Sequence, residues 1–319
     1  MNLAVGRFGA AGYREAVTLA DEAVELAETA GCPAVLALAL TVRGSGLVRL
    51  GRLAEAVADH ERSLALHHRL GSAYVVLPLT GLGRVHLLRG RDSLARAAYQ
   101  EAVQVSESTG NVVALVPALV GLARVTAGTD PAGATALAER AVRLARGPDG
   151  GAARCALGWV AVAVPDLPRA ALLATEAEDH ARLHQDRAGL AEALRLRAAA
   201  TDDSVSARQA LVEAGAILRE AGARVDADRV RVLLGRLSGP GSEERIDAQS
   251  PPPGSPSWRW WFRYRRARRE PWRCVRSAGS RYASTVDRCP PRPGSPARPG
   301  TCSDPGRPTG PPGLPGTAR

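Results

Sequence analysis

The chain has 319 residues, 42 basic and 32 acidic side chains and a net charge of +10, a length that fits one or two ordinary domains. It contains no Lys, which excludes a GxxxxGK phosphate loop, and it carries no GxSxG, HExxH or dinucleotide fingerprint, so the enzyme classes those motifs mark are excluded with it. The charge is confined to one end: Pro251 to Arg319 hold 14 Arg against three acids, whereas the first 250 residues are near neutral.

In chain order, apolar residues recur at helical spacing and the breaks carry turn chemistry: LGRL at 50–53, RGRDS at 89–93, GTDPAG at 128–133, VPDLP at 164–168 and TDDSVS at 201–206. This pattern predicts helices at about 13–30, 34–50, 53–70, 73–89, 92–109, 112–127, 131–147, 151–163, 167–184, 188–200, 204–222 and 225–237. The longest apolar runs, such as CPAVLALALTV, fall short of the roughly 20 residues of a membrane span, and no signal-like segment opens the chain, so a cytoplasmic protein with no membrane partner is expected. Cys32 and Cys155 stand alone, and Cys274, Cys289 and Cys302 lack paired metal spacing.

A repeat runs through these helices. Ala16, Ala56, Ala95, Ala134, Ala170 and Ala207 recur every 36 to 40 residues, each followed seven residues later by another small residue (Ala23, Ser63, Ala102, Ala141, Ala177, Ala214). Gly44, Gly83, Gly121 and Gly158 precede the first Ala of their units by 12 or 13 residues. Glycine inside a helix costs about 1 kcal/mol relative to Ala, so its return at one phase implies a close helix–helix approach there. Each unit is a helix pair that cannot bury its own apolar face and must stack on its neighbours. The fold class expected is all-α: a right-handed α-solenoid of about six helix pairs over residues 1–240, followed by a disordered Pro/Arg/Gly-rich tail over 241–319.

The segments GLVRLGRLAEAVADHERSLAL and GRVHLLRGRDSLARAAYQEAV resemble tetratricopeptide repeats, with Gly83, Gly90, Ala95, Tyr99 and Ala102 on consensus places. The units are longer than the family's usual repeat, its Trp and Pro are missing, and the fourth to sixth units keep only the small residues. Long, degenerate repeats of this kind are similar to the sensor arms of large bacterial transcription regulators. AGARVDADRVRVLLGRL at 221–237, followed by GSEERIDA at 241–248, resembles the end of the helical-repeat region in the SARP/LuxR-type regulators. That resemblance implies a repeat module without the ATPase and DNA-reading parts of such a protein.

The resemblance implies binding, not catalysis, with no cofactor and no metal. The first helix of each unit lines a concave groove that by phase includes Leu38, Thr41, Ser45, Arg49, Leu77, Thr80, Arg84, Leu87, Leu115, Leu122, Val125 and Trp159. Only Arg49 and Arg84 among them can meet a carboxylate, so the occupant expected is an amphipathic helix of a protein or peptide partner, or a neighbouring segment of the protein itself. Glu176, His180 and His184 share one helix stripe, the best metal-like constellation present, but the stripe reads as a solvated face. His60 occupies the repeat's aromatic packing position and is expected in the core.

The tail stretch SPSWRWWFRYRRARREPWRC interleaves aromatic rings with seven Arg, the ingredients of a single-strand-binding arm. Its phosphate contacts would be salt-dependent and without sequence preference. Read one base out of frame, residues 284–303 become compatible with HGRPVPAAAWQSRKARDLL, similar to the start of the winged helix of SARP-type activators. That reading makes the tail a frameshifted remnant of a DNA-binding domain.

Overall fold

The computed structural model describes residues 12–237, all within the unit formed by residues 1–272. Both the expected tail and the expected division near residue 240 lie outside the described residues. Twelve α-helices are present among those described, with no strand: α1 (Tyr13–Thr29), α2 (Pro33–Leu50), α3 (Leu53–Arg69), α4 (Val76–Leu88), α5 (Asp92–Ser108), α6 (Val112–Thr126), α7 (Pro131–Leu144), α8 (Asp149–Ala163), α9 (Leu167–Leu183), α10 (Arg187–Ala200), α11 (Ser204–Glu220) and α12 (Arg224–Leu237). Each helix packs on the next, and α4, α6, α8 and α10 also pack in sequence on one another, the connectivity of an α-solenoid.

Local chemistry sets the helix ends. Pro33 starts α2 where its missing N–H costs nothing, and Gly51 closes the helix at φ 82, with the Gly51 and Arg52 N–H groups donating to the Val48 and Leu47 carbonyls. In the second half, Asp130, Asp166, Asp186 and Asp203 accept hydrogen bonds from the first-turn N–H groups of α7, α9, α10 and α11 at 2.9 to 3.1 Å. Two boundaries differ from the sequence expectation. The helix expected from 73 opens as a 3₁₀ turn over Ala73–Val75, and the one expected to reach 147 stops at Leu144, because Ala145 takes an extended conformation with ψ 138.

The glycines mark where side-chain rings enter the neighbouring backbones. His60 on α3 lies between Gly44 of α2 and Gly81 of α4; a Cβ added at Gly44 would sit 2.9 Å from its ring, and one at Gly81 closer still. Tyr99 on α5 repeats the arrangement between Gly83 of α4, at 2.9 Å, and Gly121 of α6. The fourth and fifth units have Ala138 and Ala174 at the corresponding place, and there the notch at Gly158 of α8 is filled by Leu196 of α10. His180 lies over Gly150.

His60 is fully buried, and neither ring nitrogen has a hydrogen-bond partner. Burial lowers its pKa to about 4. His67, also buried with both nitrogens unpaired, is shifted down for the same reason.

α2 is 18 residues long with a mean hydropathy of 1.3, enough by length and composition alone to cross a membrane. In this fold half of it is buried between α1, α3 and α4. Its Arg43 donates to both carboxylate oxygens of Asp59 on α3, at 2.6 and 2.7 Å, and to Asp21 on α1 at 3.0 Å.

Two outcomes follow for stability. Gly121→Ala gains helix propensity but drives a methyl group into the Tyr99 ring, so urea unfolding should show a net loss of about 1–2 kcal/mol. In a Tyr99→Ala background the same change should be neutral or stabilising. For His60 the folded pKa lies below the unfolded one, so the unfolded chain binds the extra proton between them and stability falls as pH drops from about 6.5 to 4. The loss is on the order of 3 kcal/mol, and His60→Leu should flatten that part of the stability–pH curve.

Candidate functional site on the concave face

The first helices of successive pairs each turn at least one polar side chain inward, and these residues meet. Arg49 of α2, Arg84 of α4, Arg124 of α6, Trp159 of α8 and Arg195 of α10 form a strip that ends on Asp226 and Arg229 of α12. Asp226 is the centre. Its carboxylate, 9% exposed, lies 3.3 Å from Arg49, 3.8 Å from Arg84, 3.8 Å from Arg195 and 3.5 Å from Arg229. A second carboxylate, Glu192 of α10, accepts from Arg124, from Arg195 at 2.6 Å and from the Trp159 indole N–H at 2.9 Å.

This arrangement depends on α12 lying against the inner helices α2, α4 and α10. Val225 at its start touches the Gly51 turn, and the Gly222 turn approaches Arg14 and Leu50. Val230, Leu233, Leu234 and Leu237 join a core that holds residues of α10 and α11 together with Tyr13 of α1. Leu233 also reaches the cluster of Ala161, Val162 and Leu196. The last described helix therefore packs against the beginning of the array as well as its end.

Burial alone would push the Asp226 carboxyl up, but Arg49, Arg84, Arg195 and Arg229 outweigh it and hold the group well below the ordinary carboxylate range. The arginines are crowded. Repulsion from Arg49, then burial, lowers the Arg84 pKa, and burial pulls Arg124 and Arg229 down to about 10, which leaves those two charged at neutral pH.

The residues expected in the groove divide into several groups. Arg49 and Arg84 meet on Asp226, while Trp159 binds Glu192. Ser45 and Thr80 are half-buried and turn their hydroxyls back to the Thr41 and Val76 carbonyls. Leu38 is half-buried and Leu77 exposed. Thr41 is buried between α2 and α3, 2.8 Å from the Ser63 hydroxyl. Leu115, Leu122 and Val125 are buried in core clusters, and Leu87, half-buried, packs beside the latter two. Arg124, Glu192, Arg195, Asp226 and Arg229 were not among the candidates.

Glu176 pairs with Arg154 at 3.1 Å, and His180 packs on His184 with ring centroids 4.5 Å apart. Among the described residues, no three His, Cys, Asp or Glu side chains are placed to hold one metal ion. Two open depressions, of about 410 and 450 Å³, are lined mainly by residues of α5, α6 and α7, and none of the arginine cluster borders either.

Replacing Asp226 by Asn leaves the surrounding guanidiniums without their shared counter-charge. Allowing for partial solvent access, stability should fall by about 2–3 kcal/mol, with the largest rise in amide exchange over α12. The wild-type Asp226 contribution is present above the unfolded carboxyl pKa and is lost as pH falls below about 4. Asp226→Asn should remove that low-pH component and leave the His60 window untouched.

Comparisons with known proteins agree with the architecture. The tetratricopeptide repeat family model matches residues 35–108, spanning α2 to α5. Among solved structures the chain is similar to aspartyl phosphate phosphatase F from Bacillus subtilis, at 11% identity and TM-score 0.56, over 89% of this chain and 72% of that one. It is also similar to BtubC (BKLC) from P. vanneervenii, at 16% identity and TM-score 0.44, over 76% of this chain and 94% of that one. No curated protein matches. The fold is thus that of a helical-repeat protein with tetratricopeptide repeats at residues 35–108.

Proposed function

We propose that the chain is a non-catalytic, cytoplasmic protein-interaction scaffold that engages a protein or peptide partner, or another domain of a larger regulator, through its concave face. The observation that carries this reading is the inward strip from Arg49 to Asp226, which gathers polar side chains from successive inner helices onto a single surface. The comparisons support a helical-repeat interaction scaffold. The finer assignment, a repeat module of the SARP/LuxR regulator class with a frameshifted tail, rests on the residues at 221–248 and 284–303. An intact reading frame whose tail is preserved in close relatives would sink the frameshift.

A photo-crosslinker placed in the full chain at Ser45 or Thr80 should trap a partner from host extract saturably, while one at exposed Leu172 should not. Equal labelling from both positions would sink the scaffold reading. A second reading, binding of nucleic acid through residues 251–319, is favoured by their 14 Arg. It requires that deleting them abolish binding and that the binding show a sequence or strand preference.

A further inference from the structure

We infer that α12 is a built-in occupant of the concave site, and that the external partner is an acidic amphipathic helix that takes its place; this rests on the scaffold reading above. Charge carries the first part of the argument. Without α12, the wall presents Arg49, Arg84, Arg124 and Arg195, and the acid within ion-pairing distance of them, among the described residues, is Glu192. The wall thus holds three positive charges in excess. α12 brings Asp226 but also Arg229, whose guanidinium lies 3.5 Å from that carboxylate. Its net contribution to the site is zero, so the excess persists with the helix in place. The crowding that lowers the Arg84 pKa and the buried, unpartnered Nε atoms of Arg84 and Arg195 have the same origin.

The shape of α12 defines the rest of the fit. An acid in the first turn sits among the arginines, where it also complements the helix dipole, and apolar side chains follow at four, seven, eight and eleven residues (Val230, Leu233, Leu234, Leu237). A partner helix with the same apolar spacing and an acid where α12 has Arg229 satisfies the wall better than α12 does. Release of α12 also disrupts little of the buried core. Only three of its 14 residues are buried, against ten of 15 in α6, and elements with few buried contacts open at low free energy.

The test uses the full chain and two labelled peptides covering residues 222–240, one with the native sequence and one carrying Arg229→Glu. The acidic peptide should bind saturably and at least ten-fold more tightly than the native one. Binding should speed amide exchange across residues 224–237 and leave α4 to α6 unchanged. Arg84→Glu should abolish it, and Arg84→Gln, included in case the charge reversal does not fold, should weaken it at least five-fold with helicity retained. The inference fails if neither peptide saturates, if both bind alike, if the Arg84 changes leave binding intact, or if exchange over α12 does not rise. If the peptides fail but crosslinking at Ser45 and Thr80 persists, the α12 inference falls and the scaffold stands. If crosslinking fails as well, both fall.

Discussion

Close approach between helix backbones at glycine is the constraint on which this structure rests. Gly44, Gly81, Gly83 and Gly121 remove side chains where the His60 and Tyr99 rings must enter, so each ring is gripped by two successive inner helices. That grip sets the stride of the first units, and the stride brings the inner faces of α2, α4 and α6 into line. The later units fill the same place by another route: Ala138 and Ala174 leave no ring to insert, and Leu196 enters from the inner helix instead. Packing at this density tolerates either solution provided the volume is conserved.

Once the inner faces are aligned, they place like charges together. Arginines on four different helices converge without a matching set of acids, and desolvation raises the cost of leaving them uncompensated. Asp226, 177 residues along the chain from Arg49, offsets part of that cost for the arginines it touches, although Arg229 on the same helix brings a further positive charge. The outer surface has no comparable demand. There Arg62–Glu28, Arg140–Glu107 and Arg169–Glu139 link neighbouring second helices as exposed pairs worth little individually. The inner and outer surfaces therefore use the same residue types for different ends, a shared buried site within and scattered surface pairs without.

Much of the scaffold is legible in the linear sequence because its determinants are local. Turn residues and helical periodicity place the helices to within a few residues, and the return of Ala and Gly at fixed phase places the helix contacts. Where local signals compete, the reading slips. The Ala73–Val75 segment has apolar spacing but forms a 3₁₀ turn, and α7 ends before its apolar pattern does. The groove was harder to read, since inner helices such as α6 are apolar nearly all round. Periodicity cannot then separate the side facing solvent from the sides facing neighbours, and Leu115, Leu122 and Val125 prove to be core.

The sequence by itself determined an all-helical array built on small residues at a regular interval, with His60 and Tyr99 as packing rings and with Arg49 and Arg84 as the carboxylate-seeking pair among the proposed groove residues. Only the tertiary structure decided that the carboxylate they meet is Asp226, and that Arg124, Glu192, Arg195 and Arg229 belong to the same site. The physical reason is range. Helix periodicity is a property of consecutive residues, whereas the arginine site depends on angles and displacements summed over the whole stack, and a small change in stride at any unit would bring a different residue opposite Arg49.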